Sequence, residues 1–262
     1  MLIGGQNPGL DRRLGRLKVR ERLLEAFRGP VRETLQRHAF AQLASGRVGD
    51  EFQFARSLSD RVDVVGARLL QRLGSQEAEI TVETGVFLRV APHPVGAEFQ
   101  GLDGLSLSCS EDCHFRNRLK PSRWASGTLF RQASWVVSGP GSRLDRALSD
   151  IATKIEKAGL PWFEAFGDLH EVYRCVLTRS TRGTALPHYW GFMYGDQLVE
   201  GFLALRLGDW STARSNLEAV LQLENPRHLV DPHQPRRLYH HVSARIEAAL
   251  DEVTHRSGGF TD

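Results

Sequence analysis

The sequence predicts an α+β protein: an antiparallel sheet of about four to five strands flanked by helices, with a helical C-terminal third. Three observations predict it. Between residues 51 and 139 the apolar spacing follows a period near two, as in "EFQFARS" and "AEITVETGVFLRVAP". These stretches follow one another without the helical crossovers that parallel pairing requires. From residue 196 onward the spacing is that of helices.

The elements follow in order. Residues 10–28 read as a basic amphipathic helix, with Leu14, Leu17, Leu24 and Phe27 near one face. Gly29-Pro30 breaks it, and Pro30 opens a second helix, "VRETLQRHAFAQLA", closed by a turn at Gly46 and Gly49. Phe52 and Phe54 alternate in the first strand, and Val62 and Val64 share one face of the next. Ile80 and Val82, then Val86, Leu88 and Val90, mark the clearest strand. Gly85 within it signals a bulge or a close backbone approach, and Pro92 and Pro94 end it. "LSLSCS" and "LFRQASWVVSG" (129–139) read as the last strands. "SRLDRALSDIATKIEKAG" is a helix capped by Ser142, with Leu144, Leu148, Ile151 and Ile155 on one face and Gly159 as its C-cap.

The stretch "GLPWFEAFGDLH" (159–170) places Trp162, Phe163 and Phe166 either as a lip that grips a ligand or as the corner of a core. Trp162 and Phe166, four apart, share a helical face, which favours the corner. Asp168 caps a following helix, "LHEVYRCVLTR". An aromatic, glycine-bearing loop (183–195) leads to helices at 196–208, 211–224 and roughly 235–255. The chain divides into a basic N-terminal helical segment (1–30), an α+β core (31–182) and a helical C-terminal part (183–262) expected to pack on the core.

Composition narrows the function classes. At 262 residues, 41% hydrophobic and 25% charged, the chain can bury a sizeable core. No apolar run reaches the roughly 18–20 residues of a membrane span, and no apolar stretch follows the basic start. A soluble, cytoplasmic protein is expected. Cys109, Cys113 and Cys175 are too few for a disulfide scaffold. The net charge of +3 is uneven: seven basic residues against Asp11, Glu21 and Glu25 give 11–28 a charge of +4, leaving −1 elsewhere. Of 34 basic residues only Lys18, Lys120, Lys154 and Lys157 are lysine. Arginine is the better bidentate partner for carboxylate and phosphate, although a GC-rich genome also favours its codons.

Nucleotide and hydrolase signatures are absent: no Gly-Lys dipeptide, no G-x-G-x-x-G, no G-x-S-x-G and no H-E-x-x-H. Cys109, Cys113 and His114 have metal-ligand types at close spacing, but only one cysteine pair exists where structural zinc sites use two. The C-terminal histidines do not converge, since His240 and His241 point about 100° apart on a helix. No cofactor and no metal is expected. Asp63, Glu79 and Glu83 lie on strands, Glu79 and Glu83 on one face. They fit either a solvated sheet face or the carboxylates of a metal-dependent nuclease or phosphodiesterase.

Two segments combine arginine with aromatics, the residue types enriched at interfaces. One is "CHFRNRLKPSRW", with Arg116, Arg118, Arg123 and Trp124; the other is the 183–195 loop, with His188, Tyr189 and Trp190. These seven are the expected partner-binding residues. A nucleic-acid contact through Arg12, Arg13, Arg16, Lys18 and Arg20 is the alternative.

"ITVETGVFLRV" (80–90), "SWVVS" (134–138) and "GLPWFEAF" (159–166), in this order, resemble an uncharacterised bacterial family of domain-of-unknown-function proteins over roughly 35–180. The resemblance implies an accessory or immunity-type role, hence protein binding without catalysis, and carries no active site with it. "LVEGFLALRLGDWSTARSNLEAVLQLENP" is similar to one tetratricopeptide-type hairpin, with its turn at Gly208-Asp209 and small Ala213 in the second helix. A single copy is one hairpin, not a solenoid. The expected function is non-catalytic binding of another protein, with no membrane partner.

Overall fold

A computed structural model describes residues 27–43, 51–71, 77–92, 113–122, 134–138, 142–178, 196–222 and 240–258. The strands are β1 (Ala41–Gln42), β2 (Glu51–Ser57), β3 (Arg61–Gln71), β4 (Glu77–Leu88), β5 (Phe115–Arg118) and β6 (Trp135–Ser138). They form one antiparallel sheet in the order β1-β2-β3-β4-β5, with β6 also pairing to β4. In that last pair Ile80 lies opposite Trp135 and Ala78 opposite Val137. The helices are α1 (Arg32–Arg37), α2 (Ser142–Lys154), α3 (Leu160–Glu164), α4 (Leu169–Thr178), α5 (Asp196–Leu207), α6 (Trp210–Gln222) and α7 (His240–Gly258). The α+β class, the sheet and the helical C-terminal part are as the sequence predicts. No described helix is long and apolar enough to cross a membrane.

The chain forms two compact units that interleave along the sequence, and β2, β3 and β4 each pass from one into the other. The first unit holds residues 1–54, 66–83 and 118–159. Helix α1 stops at Arg37, short of the length its sequence pattern predicts. Ala39 adopts φ 63°, and the amides of Ala39 and Phe40 donate to the carbonyls of Gln36 and Leu35. This is the helix-ending motif that usually employs glycine. It turns Phe40 inward to 2% exposure, so burial of one aromatic overrides the propensity of the chain beyond it. Helix α2 buries Leu144, Leu148 and Ile151, as its spacing predicts. Its Asp150 is also buried: it accepts hydrogen bonds from Trp135 Nε1 at 2.8 Å, Ser122 Oγ at 2.7 Å and the Ser122 amide at 3.0 Å.

Gly159 does not end the helix, contrary to the sequence reading. A π turn, Ile155–Gly159, runs directly into α3, and among the described glycines only Gly208 has positive φ. The wider turn relieves the Pro161 ring, which in a regular helix presses on the carbonyl four residues back.

The second unit holds residues 55–65, 84–117 and 160–262. Trp162, Phe163 and Phe166 are 1%, 0% and 1% exposed. The Trp162 ring meets Phe166 edge-on at 4.8 Å and Phe163 at 5.4 Å, and Phe166 meets Phe115 at 4.9 Å. They are the corner of a core rather than a lip. The following turn Ala165–Gly167 leads to Asp168, whose carboxylate caps α4 by accepting from the amides of His170 and Glu171. Helices α5 and α6 form a close hairpin. Gly208 (φ 81°) closes α5, with its amide donating to Leu205 O and the Asp209 amide to Ala204 O. Asp209 then caps α6 through the Thr212 amide at 3.1 Å and accepts the Tyr173 hydroxyl at 2.8 Å.

Candidate functional site: an arginine-lined cleft

The second unit contains a cleft of about 530 Å³, within the range of ordinary ligand sites. Its charged lining residues are Arg89, Arg206, Arg245 and Arg256, with Asp60 and Glu252. Four guanidiniums against two carboxylates leave an excess of two positive charges. Arg89 follows the end of β4; Arg206 is in the last turn of α5; Arg245, Glu252 and Arg256 are on α7.

Packing aims these arginines. The Arg256 guanidinium sits 5.5 Å from the Trp210 ring centre and pairs with Glu252 at 3.0 Å. The Arg245 guanidinium sits 5.8 Å from the Phe202 ring centre and donates to Val90 O at 3.3 Å. Each aromatic face attracts its cation and holds it at the cleft wall. Arg89 donates to Leu58 O at 3.0 Å and to Ser57 Oγ, both uncharged. Among the described residues, Arg89, Arg206 and Arg245 have no carboxylate partner. Asp60 pairs with Arg61 at 3.8 Å. The cleft therefore presents uncompensated cations with donor protons to spare, the chemistry that takes carboxylate or phosphate oxygens. No histidine or cysteine stands among its described lining residues.

The residues singled out from the sequence fall elsewhere. Arg116 and Arg118 are on β5, half-buried and exposed. Both Arg118 Nε and Nη2 donate to Glu83 Oε1, at 2.9 and 2.6 Å, so its charge is largely answered within the sheet. Arg123, Trp124, His188, Tyr189, Trp190, Arg12, Arg13, Arg16, Lys18, Arg20 and Cys109 lie outside the described residues.

Asp63 is not on a solvated face: it is fully buried. Its Oδ1 accepts from Arg61 Nε at 3.0 Å, and its Oδ2 from Arg56 Nε at 3.1 Å and Nη2 at 2.7 Å. Arg61 also donates to Phe163 O at 3.2 Å, tying the strand to the aromatic corner. Burial pushes the Asp63 carboxyl above its ordinary value, although both arginines pull it down. With both oxygens held by guanidiniums, Asp63 is a structural clamp. Glu79 and Glu83 are half-buried on β4, on one face as predicted. No group of three or more potential metal ligands occurs among the described residues. His114 Nδ1 accepts the Leu88 amide at 3.0 Å, and its ring stacks on Phe87 at 4.4 Å. Cys113 and Cys175 are buried thiols, and burial raises Cys175 further from the reactive thiolate.

The four cleft arginines went unmarked in the sequence because they come from three separated segments. One local signal existed. Arg245, Glu252 and Arg256 are seven and eleven residues apart, within about 20° of one helical face. Arg206 and Trp210 are the other readable pair, four residues apart across the Gly208 turn. Comparison with protein-family models, with curated proteins and with solved structures found no match, so the assignment rests on the cleft's own chemistry.

Proposed function

We propose that the protein is a non-catalytic, protein-binding factor that docks an acidic segment of its partner in the arginine-lined cleft. The observation that carries this reading is the set of three arginines, Arg89, Arg206 and Arg245, around one cavity and without carboxylate partners among the described residues. Clustered like charges cost stability in the free protein, and an anionic partner relieves that cost. Arginine beside buried aromatics is also the residue chemistry of interface anchors.

The test is co-purification from the native host followed by native mass spectrometry, with the wild type, an Arg206→Glu/Arg245→Glu variant and an Arg116→Glu/Arg118→Glu variant. The expected result is one partner mass lost with the cleft variant and kept with the β5 variant. Loss with the β5 variant alone moves the contact to the sheet. A bound oligonucleotide instead of a protein overturns the reading.

A further inference from the structure

The cleft is not cationic throughout. Val90, Leu169, Leu205 and Trp210 also line it, all of them apolar and half-buried. They come from four places: just after β4, the start of α4, the end of α5 and the start of α6. Each is partly covered by the protein and leaves carbon surface beside the cavity. Leu205 and Trp210 pack against the buried cluster of Ala204, Ala213 and Val253, so the core fixes their position. Ala248 of α7, exposed, adds a methyl to the same lining. The charged part of the lining divides in two. Arg256 and Glu252 answer one another at 3.0 Å without a ligand. The uncompensated charge, among the described residues, is that of Arg89, Arg206 and Arg245.

From this juxtaposition of an apolar wall with unmatched guanidiniums we infer that the cleft takes a peptide segment in which a bulky aliphatic side chain stands among acidic ones, and discriminates against segments that are acidic throughout. The inference rests on the proposed docking of an acidic segment and adds what seats it. A carboxylate meeting Arg89, Arg206 or Arg245 gains charge-assisted hydrogen bonds, but it gives up water to form them, and salt weakens the attraction. An aliphatic side chain against Val90, Leu169 and Leu205 removes carbon surface of both partners from water, a gain that salt does not screen. A uniformly acidic segment leaves that wall wet and brings charge towards the Glu252 carboxylate. A fatty acid covers the wall but offers one charge to three cations. A nucleic-acid strand meets the cations, but its flat bases suit stacking, and the Arg256 guanidinium already lies over the Trp210 ring.

The experiment is isothermal titration calorimetry on the full-length protein, at low salt and again as salt is raised. The probes are two synthetic peptides of equal length and charge, one with a leucine between acidic residues and one with serine in its place, together with laurate and an oligothymidylate. The expected result is binding of the leucine peptide about tenfold or more tighter than the serine peptide. Salt should weaken both and leave that ratio standing. Arg245→Ser should weaken both peptides by a similar factor. Ala248→Gln, which puts a polar side chain on the wall, should bring the leucine peptide towards the serine peptide. Both positions are exposed on α7, and a thermal melt of each variant confirms folding. Equal affinity for the two peptides overturns the aliphatic anchor and leaves the acidic-segment reading intact. Binding of laurate or of the oligothymidylate with neither peptide bound overturns both. A leucine peptide unaffected by either substitution binds elsewhere and overturns both, as does the absence of binding by any probe.

Discussion

Ala39 performs a glycine's task. An L-residue in the left-handed region costs roughly 1–2 kcal/mol, partly offset in an Ala→Gly exchange by the greater freedom of glycine in the unfolded chain. Ala39→Gly should therefore stabilise the protein by about 0.5–1 kcal/mol in urea unfolding, with an unchanged m-value. Asp150 is the opposite kind of residue: buried and charged, yet supplied with three donors. Asp150→Ala strands the Trp135 and Ser122 donors and should cost about 3 kcal/mol, with Asp150→Asn costing less.

Tyr173 and Asp209 set a pH dependence. Burial first, then the hydrogen bond to Asp209, pushes the Tyr173 hydroxyl up to about 12. A raised acid favours the native state while protonated, so this contribution is complete below the ordinary value of 10.0 and is lost as pH rises through about 12. Burial raises Asp209 too, but hydrogen bonds from Thr212 and Tyr173 outweigh it and hold the carboxyl below its ordinary value. That contribution is present above 3.8 and lost as pH falls through the lowered value. In urea titrations across pH, the stability advantage of wild type over Tyr173→Phe should stay level near neutrality and shrink between about pH 10 and 12.

At the scale of the element, the α5–α6 hairpin depends on one close approach. A Cβ added at Gly201 meets Leu217 Cγ and Cδ2 at 2.8 Å. Because Leu217 is fully buried, it has little room to retreat. Alanine at 201 gains about 1 kcal/mol of helix propensity, but overpacking of a buried contact costs about 1–3 kcal/mol. Gly201→Ala should therefore be destabilising and Gly201→Val more so, as thermal melts will show. The same hairpin sets Trp210, and through it Arg256, so these variants should also weaken the docking proposed for the cleft. Ala213 is fully buried within the hairpin. The α2–α3 segment shows the reverse relation between sequence and element. Gly159 and Pro161 both signal a stop, yet the chain continues through a π turn, because Leu160, Trp162 and Phe163 gain burial by continuing.

For the molecule as a whole, the docking role proposed for the cleft and stability pull in opposite directions. Arg206 and Arg245 have no carboxylate partner among the described residues, so removing one cation relieves repulsion. Arg206→Ser should raise the melting temperature at low ionic strength, and the gain should fade as salt screens the cluster. An anionic peptide that binds only the native state should raise the melting temperature of the wild type and do so less in Arg206→Ser.

The sequence by itself determined the class of fold, the strand alternation of Phe52, Phe54, Val62, Val64, Ile80 and Val82, and the apolar face of α2. It also determined the cap at Asp168, the turn at Gly208-Asp209 and the inward turn of Trp162 and Phe166. These are local facts, written in periods of two and 3.6 and in residues that suit particular backbone geometries. Only the tertiary structure decided that α1 stops at Arg37 ahead of Ala39, that Asp63 is clamped by Arg56 and Arg61, and that Asp150 gathers Trp135 and Ser122. It alone decided that arginines from the end of β4, from α5 and from α7 line one cleft. The reason is physical: a charge reads the same in sequence whether it faces water or a partner. Its meaning is fixed by which distant segments burial brings beside it.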